Sequence, residues 1–249
     1  MGCNPLDESN ARGASWPCSA WCDCALLTGM EWPLLSSLPS EQYEAVLGAA
    51  RRRRFAKGET VFHEGDPADS LHLVATGRLA VRSGTADGEV LTLNILSPGD
   101  YFGELALMRD GTNRVRTATV AALEPAETLV LTALVFHELC TRNPGVESFM
   151  STLLARRVEE LSIRLVEALH VSLDRRVYRR LLDLAEIYAP GAPKASIPLT
   201  QTNLADLVGG SRPSVNQVLQ KLATRGTVIL GRGTIDVVDI GELARRARI

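Results

Sequence analysis

No apolar run in these 249 residues approaches the roughly 18 that a helix needs to cross a bilayer, so no helical membrane span is expected. The first residues also lack the charged start and apolar core of a secretory signal, and the expected location is the cytoplasm. Histidine is scarce: His63, His72, His137 and His170 are the four, and none forms an H-x-H pair followed by Glu, the grouping that would hold a metal inside a small β-barrel enzyme. A Ser-His-Asp order, a Walker loop and an H-E-x-x-H helix are all missing, so catalysis is not expected. Four of the five cysteines, Cys3, Cys18, Cys22 and Cys24, crowd into the first 24 residues. Structural disulfides do not suit a cytosol. The C-x3-C-x-C spacing puts two thiols one residue apart, an awkward reach for one iron–sulfur cluster, and no metal is expected. The fifth, Cys140, follows the apolar run 135–139 and is expected to be a core thiol.

What is present is ordinary in bulk and uneven in detail. A hydrophobic content of 45% and a charged content of 22% suit a globular chain with one or two cores. The net charge of −2 hides an asymmetry: from Ser172 onward there are 12 Lys and Arg against 7 Asp and Glu, whereas the preceding residues carry 15 against 22. A basic last third behind an acidic body points to a polyanionic partner for that third.

Residues 1–29 show no sustained periodicity and are expected to form a poorly ordered extension, with Met30 a candidate for the true start. Residues 58–132 alternate as short strands: Leu71, Leu73 and Ala75, then Leu79 and Val81, then Leu91, Leu93 and Ile95. Turn signals separate them at Gly65-Asp66-Pro67, Gly77, Gly84, Asp87-Gly88, Pro98-Gly99-Asp100 and Asp110-Gly111, a rhythm that predicts a β-barrel or jelly-roll. Asn143-Pro144 then opens a long helix carrying Met150, Leu154, Val158, Leu161, Leu165 and Ala168 on one stripe. Phe149, Leu153 and Val166 form a second apolar set, so the helix is expected to pack on its own barrel and also on a second copy. Ser172, before Asp174-Arg175-Arg176, predicts a break and a new N-cap, hence a hinge.

The chemistry-bearing segment is Phe102-Gly103-Glu104-Leu105-Ala106-Leu107 with Arg116-Thr117-Ala118. Gly103 permits close approach of the backbone to a ligand, and a short helix after it would favour an anion at its start. Arg116 offers a planar fork for a phosphate, and Glu104 can accept from ribose hydroxyls. This segment resembles the phosphate-binding cassette of the cyclic nucleotide-binding domain, and the resemblance extends over about residues 34–140. It implies a cyclic nucleotide-binding site that includes Gly103, Glu104, Leu105, Ala106, Arg116 and Thr117, with Arg157 and Ser162 from the long helix.

Past Ile197, Thr200 can cap a helix through Leu204, Ala205 and Leu207-Val208, and Gly209-Gly210 makes a tight turn. Ser211 caps a second helix with Pro213 in its first turn and Val215, Val218, Leu219 and Leu222 on its inner face. Strands at Val228–Leu230 and Thr234–Val238 around Gly231-Arg232-Gly233 complete a winged helix-turn-helix. The string from Leu199 to Leu219 resembles the reader of the bacterial CRP/FNR regulators. The whole chain is therefore identified as a member of that family, of α+β class: a poorly ordered extension (1–29), an N-terminal β jelly-roll (30–142), a dimerisation helix (143–171) and a C-terminal winged helix-turn-helix (172–249). Arg212 is the expected bidentate reader of guanine, with Ser214 and Gln217 beside it. Thr200, Gln201 and Ser211 are expected on phosphates, as is Arg232 at the wing tip.

The resemblance implies a homodimer on a palindromic duplex operator, an RNA polymerase partner and a cyclic mononucleotide effector, with cyclic AMP foremost. Departures are visible. Pro213 stands where many such readers carry Glu, and Gln217 where the best-known members carry a second Arg. Because Gln prefers adenine, the half-site is expected to keep the guanine read by Arg212 and to change beside it. On the long helix, Leu161 and Ser162 align with a Thr-Ser pair that reads adenine across the dimer. The alternative is a CRP/FNR-type factor outside cyclic nucleotide control, either ligand-independent or sensing redox through thiols or an iron–sulfur cluster at the N-terminal cysteines, with Glu104 and Arg116 a relic ion pair.

Overall fold

The first eight strands pair antiparallel and stack as the two sheets of a roll. The computed structural model describes Trp32, Leu35 and residues 38–84, 90–108, 115–142 and 144–248, all within one unit. The expected extension over 1–29, its four cysteines, and the turns at Asp87-Gly88 and Asp110-Gly111 lie outside the described residues. After α1 (Ser40–Ala49) come β1 (Arg51–Phe55), β2 (Thr60–Phe62), β3 (Ser70–Thr76), β4 (Leu79–Gly84), β5 (Val90–Leu96) and β6 (Tyr101–Phe102). The short α2 (Leu105–Met108) precedes β7 (Thr119–Ala122), β8 (Ala126–Thr132) and α3 (Ala133–Arg142). The sheets run β1-β8-β3-β6 and β2-β7-β4-β5, and Phe55, Val61, Val74, Leu79, Leu96, Phe102 and Val120 fill the space between them. This is the expected jelly-roll.

Two strands depart from simple alternation. Ser70 to Ala75 are all buried in β3, because α1, α2 and α3 pack against the β3–β8 side of its sheet and cover the second face. In β5 the pairing with β4 jumps from Val81↔Asn94 to Arg82↔Thr92, a bulge that skips Leu93. Thr92 is therefore buried where a leucine was expected inside, and Leu93 is half exposed.

The long helix is α4 (Pro144–His170), followed across Val171-Ser172 by α5 (Leu173–Tyr188). The break is where the sequence places it. Ser172 occupies the N-cap with extended backbone, but its side chain makes no capping bond. Val158, Leu161, Leu165 and Leu169 are exposed along α4. Val166, of the second apolar set, is exposed too. Met150, Phe149 and Leu153 have side chains outside what is described.

The C-terminal part contains β9 (Ala195–Ile197), α6 (Gln201–Val208), α7 (Arg212–Thr224), β10 (Val228–Leu230), β11 (Ile235–Val237) and α8 (Ile240–Arg248). The expected hairpin β10–β11 gains a third strand, β9, giving the order β10-β11-β9. Amphipathic spacing drives the packing: α5 buries Val177, Tyr178, Leu181, Leu184 and Ala185, and α7 buries Val215, Val218, Leu219 and Leu222. This core continues onto the roll through Ala80 and Ile95. Arg78 reinforces the junction, with its guanidinium 4.3 Å over the Tyr188 ring and Nη2 donating to the Ile187 carbonyl at 2.5 Å.

Candidate functional site

Arg116 is a cation held almost entirely out of water, with 6% of its surface exposed. Its backbone is fixed by Arg116 N–H donating to Asp66 O (2.8 Å) and Gly65 N–H donating to Arg116 O (2.9 Å). Nη1 donates to Ser70 O at 2.7 Å and Nη2 to Ser70 Oγ at 2.9 Å, while Asp69 Oδ1 lies 3.5 Å away. The guanidinium face lies 4.0 Å over the Phe62 ring. Among the described residues Nε is buried with no hydrogen-bond partner. Burial lowers its pKa, and Asp69, Asp66 and Glu104 oppose that shift. A buried guanidinium with one distant carboxylate is chemically suited to meet an anion. No Glu104–Arg116 ion pair exists among the described residues; the carboxylate near the guanidinium is Asp69.

Gly103 (φ +82°) lies against the same guanidinium: a Cβ there would stand 2.6 Å from Arg116 Nη1 and 2.7 Å from Ser70 O. Glu104 is buried, and α2 begins directly after it. Together they border a cavity of about 320 Å³ between the roll and α4, large enough for a small ligand. Leu105, Thr117 and Arg157 also line it, with Leu161 from α4 and Tyr101 from β6. Burial and the neighbouring Glu104 push the Tyr101 hydroxyl up to about 12, so it stays protonated and able to donate. Behind Arg116, His72 stacks on Phe102 (4.8 Å between centroids) and shares a hydrogen bond with Thr128 Oγ1 at 3.1 Å. Burial first, then Arg116 and Arg53, lower its pKa to about 3, so the imidazole is neutral.

In the C-terminal part, Thr200 and Asn203 form a reciprocal capping box: Asn203 N–H donates to Thr200 Oγ1 and Thr200 N–H to Asn203 Oδ1. Gly209 at φ +62° makes the left-handed turn that ends α6. Ser211 Oγ accepts from Ser214 N–H at the start of α7, and Arg212 and Gln217 are exposed on that helix. Arg232 is exposed at the tip of the β10–β11 hairpin.

A model of the cyclic nucleotide-binding domain matches residues 52–143, and one of the Crp-like helix-turn-helix domain matches 175–246. The cyclic AMP receptor protein of Thermus thermophilus is 33% identical over 206 residues, which cover 82% of this chain and 92% of that protein. The CRP-like cAMP-activated global transcriptional regulator of Mycobacterium tuberculosis is 31% identical, over 78% of this chain and 87% of the other. The chain belongs to the CRP/FNR family of transcriptional regulators. A solved CRP-family transcriptional regulator from Thermus thermophilus superposes with a TM-score of 0.63 at 26% identity, covering 79% of this chain and 97% of that one.

For this CRP/FNR regulator, the structure gathers Gly103, Glu104, Leu105, Arg116, Thr117 and Arg157 around one cavity. Ala106 belongs to α2, and its side chain is outside what is described. Ser162 does not line the cavity; its hydroxyl donates to Val158 O at 2.8 Å along α4. Phe62 and Tyr101 were not singled out from the sequence. They come from β2 and β6, and no local spacing connects either to Arg116. Cys140 is half-buried on α3 rather than sealed in the core. Among the described residues no group of three or more His, Cys, Asp or Glu could hold a metal ion, and no helix is long and apolar enough to cross a membrane.

Proposed function

We propose that this regulator is a homodimer whose sequence-specific DNA binding responds to a cyclic mononucleotide, cyclic AMP foremost. The observation that carries the reading is the buried Arg116 guanidinium, its Nε unpartnered among the described residues, at the wall of a cavity that Gly103 also lines, with no side chain to displace the guanidinium. The groups fit the effector. Arg116 would meet the cyclic phosphate, Glu104 would accept from a ribose hydroxyl, and Arg157 and Leu161 bring α4 to the open side. Both relatives carry cyclic AMP in their names, which supports the same effector.

The exposed row Val158, Leu161, Leu165 and Leu169 supports a second copy packing along α4, with Ser162 exposed on that helix. Ligand that draws α4 over the cavity in both protomers reorients the two readers about Val171-Ser172. Two recognition helices then reach successive major grooves, about 34 Å apart. Arg212 reads guanine, Ser214 and Gln217 lie beside it, and Thr200, Gln201, Ser211 and Arg232 hold phosphates. The ligand shifts the equilibrium only as far as it prefers the competent dimer.

The test is thermal unfolding of the purified protein against cyclic AMP, cyclic GMP and cyclic dinucleotides. At a hundred times Kd a ligand raises the melting point by roughly 5–10 °C for a chain of this size. A rise with cyclic AMP that is absent in Arg116→Leu is the expected result. No rise with any nucleotide overturns effector control and leaves the DNA-reading proposal standing.

A further inference from the structure

A second cavity, of about 530 Å³, lies where α4, α5 and the end of α6 meet. Four arginines line it: Arg164, Arg176, Arg179 and Arg180. Its three carboxylates do not neutralise them evenly. Glu160 is 3.2 Å from Arg157, outside the cluster, and Glu167 is 2.9 Å from Arg179. Asp183 is only at 4.0 Å from Arg180. Among the described residues Arg164 and Arg176 have no carboxylate within that distance.

Their hydrogen bonds go to neutral acceptors. Arg176 Nη1 donates to Val208 O at 2.7 Å. Arg164 Nη2 and Arg180 Nη2 both donate to the single Oδ1 of Asn94, each at 3.1 Å. Two cations converging on one uncharged oxygen repel each other. Burial and the proximity of Arg164 accordingly lower the Arg180 pKa. Among the described residues the Nε atoms of Arg176 and Arg180 are buried without partners. Such an arrangement is completed by an anion with several oxygens, which can accept from more than one guanidinium at once.

We propose that this junction is a second anion site, distinct from the Arg116 cavity, for a small multiply charged phosphate compound. A dimer partner on α4 would border it at Ala168, while its acidic side faces away. At 3.6 residues per turn, Glu160 and Glu167 lie about half a turn from Val158, Leu165 and Leu169. An anion here ties α5 and α6 of the reader to α4 and, through Asn94, to β5. It therefore acts on reader posture whether or not a cyclic nucleotide is the effector.

The experiment is isothermal titration of the full chain with inorganic pyrophosphate against potassium chloride of equal ionic strength, alongside thermal unfolding. Binding above chloride, with a melting rise of about 3–5 °C at ten times Kd, is expected. It should weaken at least tenfold in Arg164→Gln and Arg180→Gln and persist in Arg116→Lys and Arg212→Ala. Arg164 is exposed, so Arg164→Gln carries the test if Arg180→Gln does not fold. The proposal is overturned if pyrophosphate does no better than chloride, or if Arg164→Gln binds it as tightly as the parent. Loss only in Arg116→Lys, or only in Arg212→Ala, overturns it equally by moving the anion to the first cavity or to the DNA face.

Discussion

Gly103 and Arg116 are in such close register that a methyl group on the first would stand 2.6 Å from Nη1 of the second. The glycine also sits at φ +82°, where an L side chain is strained whatever the space around it. Gly103→Ala is therefore expected to cost about 1–3 kcal/mol of stability in urea unfolding. It should also push the guanidinium off Ser70 and abolish nucleotide-dependent stabilisation. A variant that keeps the parent's nucleotide response would show that the Arg116 position is not critical.

Stability should fall on the acid side through His72. Its folded pKa, about 3, is below the ordinary 6.5, so the unfolded chain binds the extra proton first. The neutral ring's contribution is full above pH 6.5 and is lost as pH falls from there towards 3, with a slope on the order of 1 kcal/mol per pH unit. Urea midpoints between pH 7 and pH 4 measure it. His72→Phe should flatten that limb, and an unchanged slope would assign it to other groups.

Reader docking rests on a few named bonds. Thr92 N–H donates to Asp206 Oδ2 at 3.2 Å, and Asn203 Nδ2 donates to Thr92 Oγ1 at 3.3 Å. Pairing Thr92→Val with Asp206→Ala removes both and leaves the Thr200–Asn203 capping box intact. Amide exchange over residues 200–208 is expected to speed up roughly thirtyfold, since two bonds of about 1 kcal/mol each are lost. Unchanged exchange would mean that the shared core around Ile95 holds the reader by itself.

Charge on the exposed α4 row should separate the copies. If the proposed dimer forms along this row, Leu165→Glu, which places a carboxylate among Val158, Leu161 and Leu169, is expected to sediment as a monomer and the parent as a dimer at the same concentration. Continued dimerisation would move the interface elsewhere.

On DNA, Arg212→Ala is expected to cost about 1–3 kcal/mol of preference for the specific site and little of the non-specific affinity. Arg232→Ala should weaken all sequences alike and reduce the salt slope by about one. Competition titrations at two salt concentrations separate the two effects.

The legible parts of this chain are those set by neighbours in sequence. The capping box at Thr200, the left-handed Gly209, the Ser211 cap with Pro213 behind it and the break at Ser172 are decided within a few residues, so spacing reveals them. Gly103, Glu104 and Arg116 were legible too, because their order along the chain resembles a known cassette. What surrounds Arg116 was not. Ser70 and Phe62 reach it, and Tyr101 lines its cavity, from three different strands, and no periodicity in one strand encodes its neighbours in another. Strand β3 was expected to be half exposed because alternation records only one face, whereas packed helices cover the other.

Period, turn and capping chemistry thus determined by themselves that this chain makes a β-barrel or jelly-roll, a long helix and a winged reader, since each follows from local conformational preference and the side on which apolar residues recur; the resemblance to a known family chose the jelly-roll. Only the tertiary structure decided that a bulge at Leu93 turns Thr92 towards the reader, that Arg116 ends with an unpartnered Nε, and that Arg164 and Arg180 share one oxygen of Asn94. Those outcomes depend on the register and docking of elements dozens of residues apart. There burial makes each polar group answer to whatever the fold brings against it.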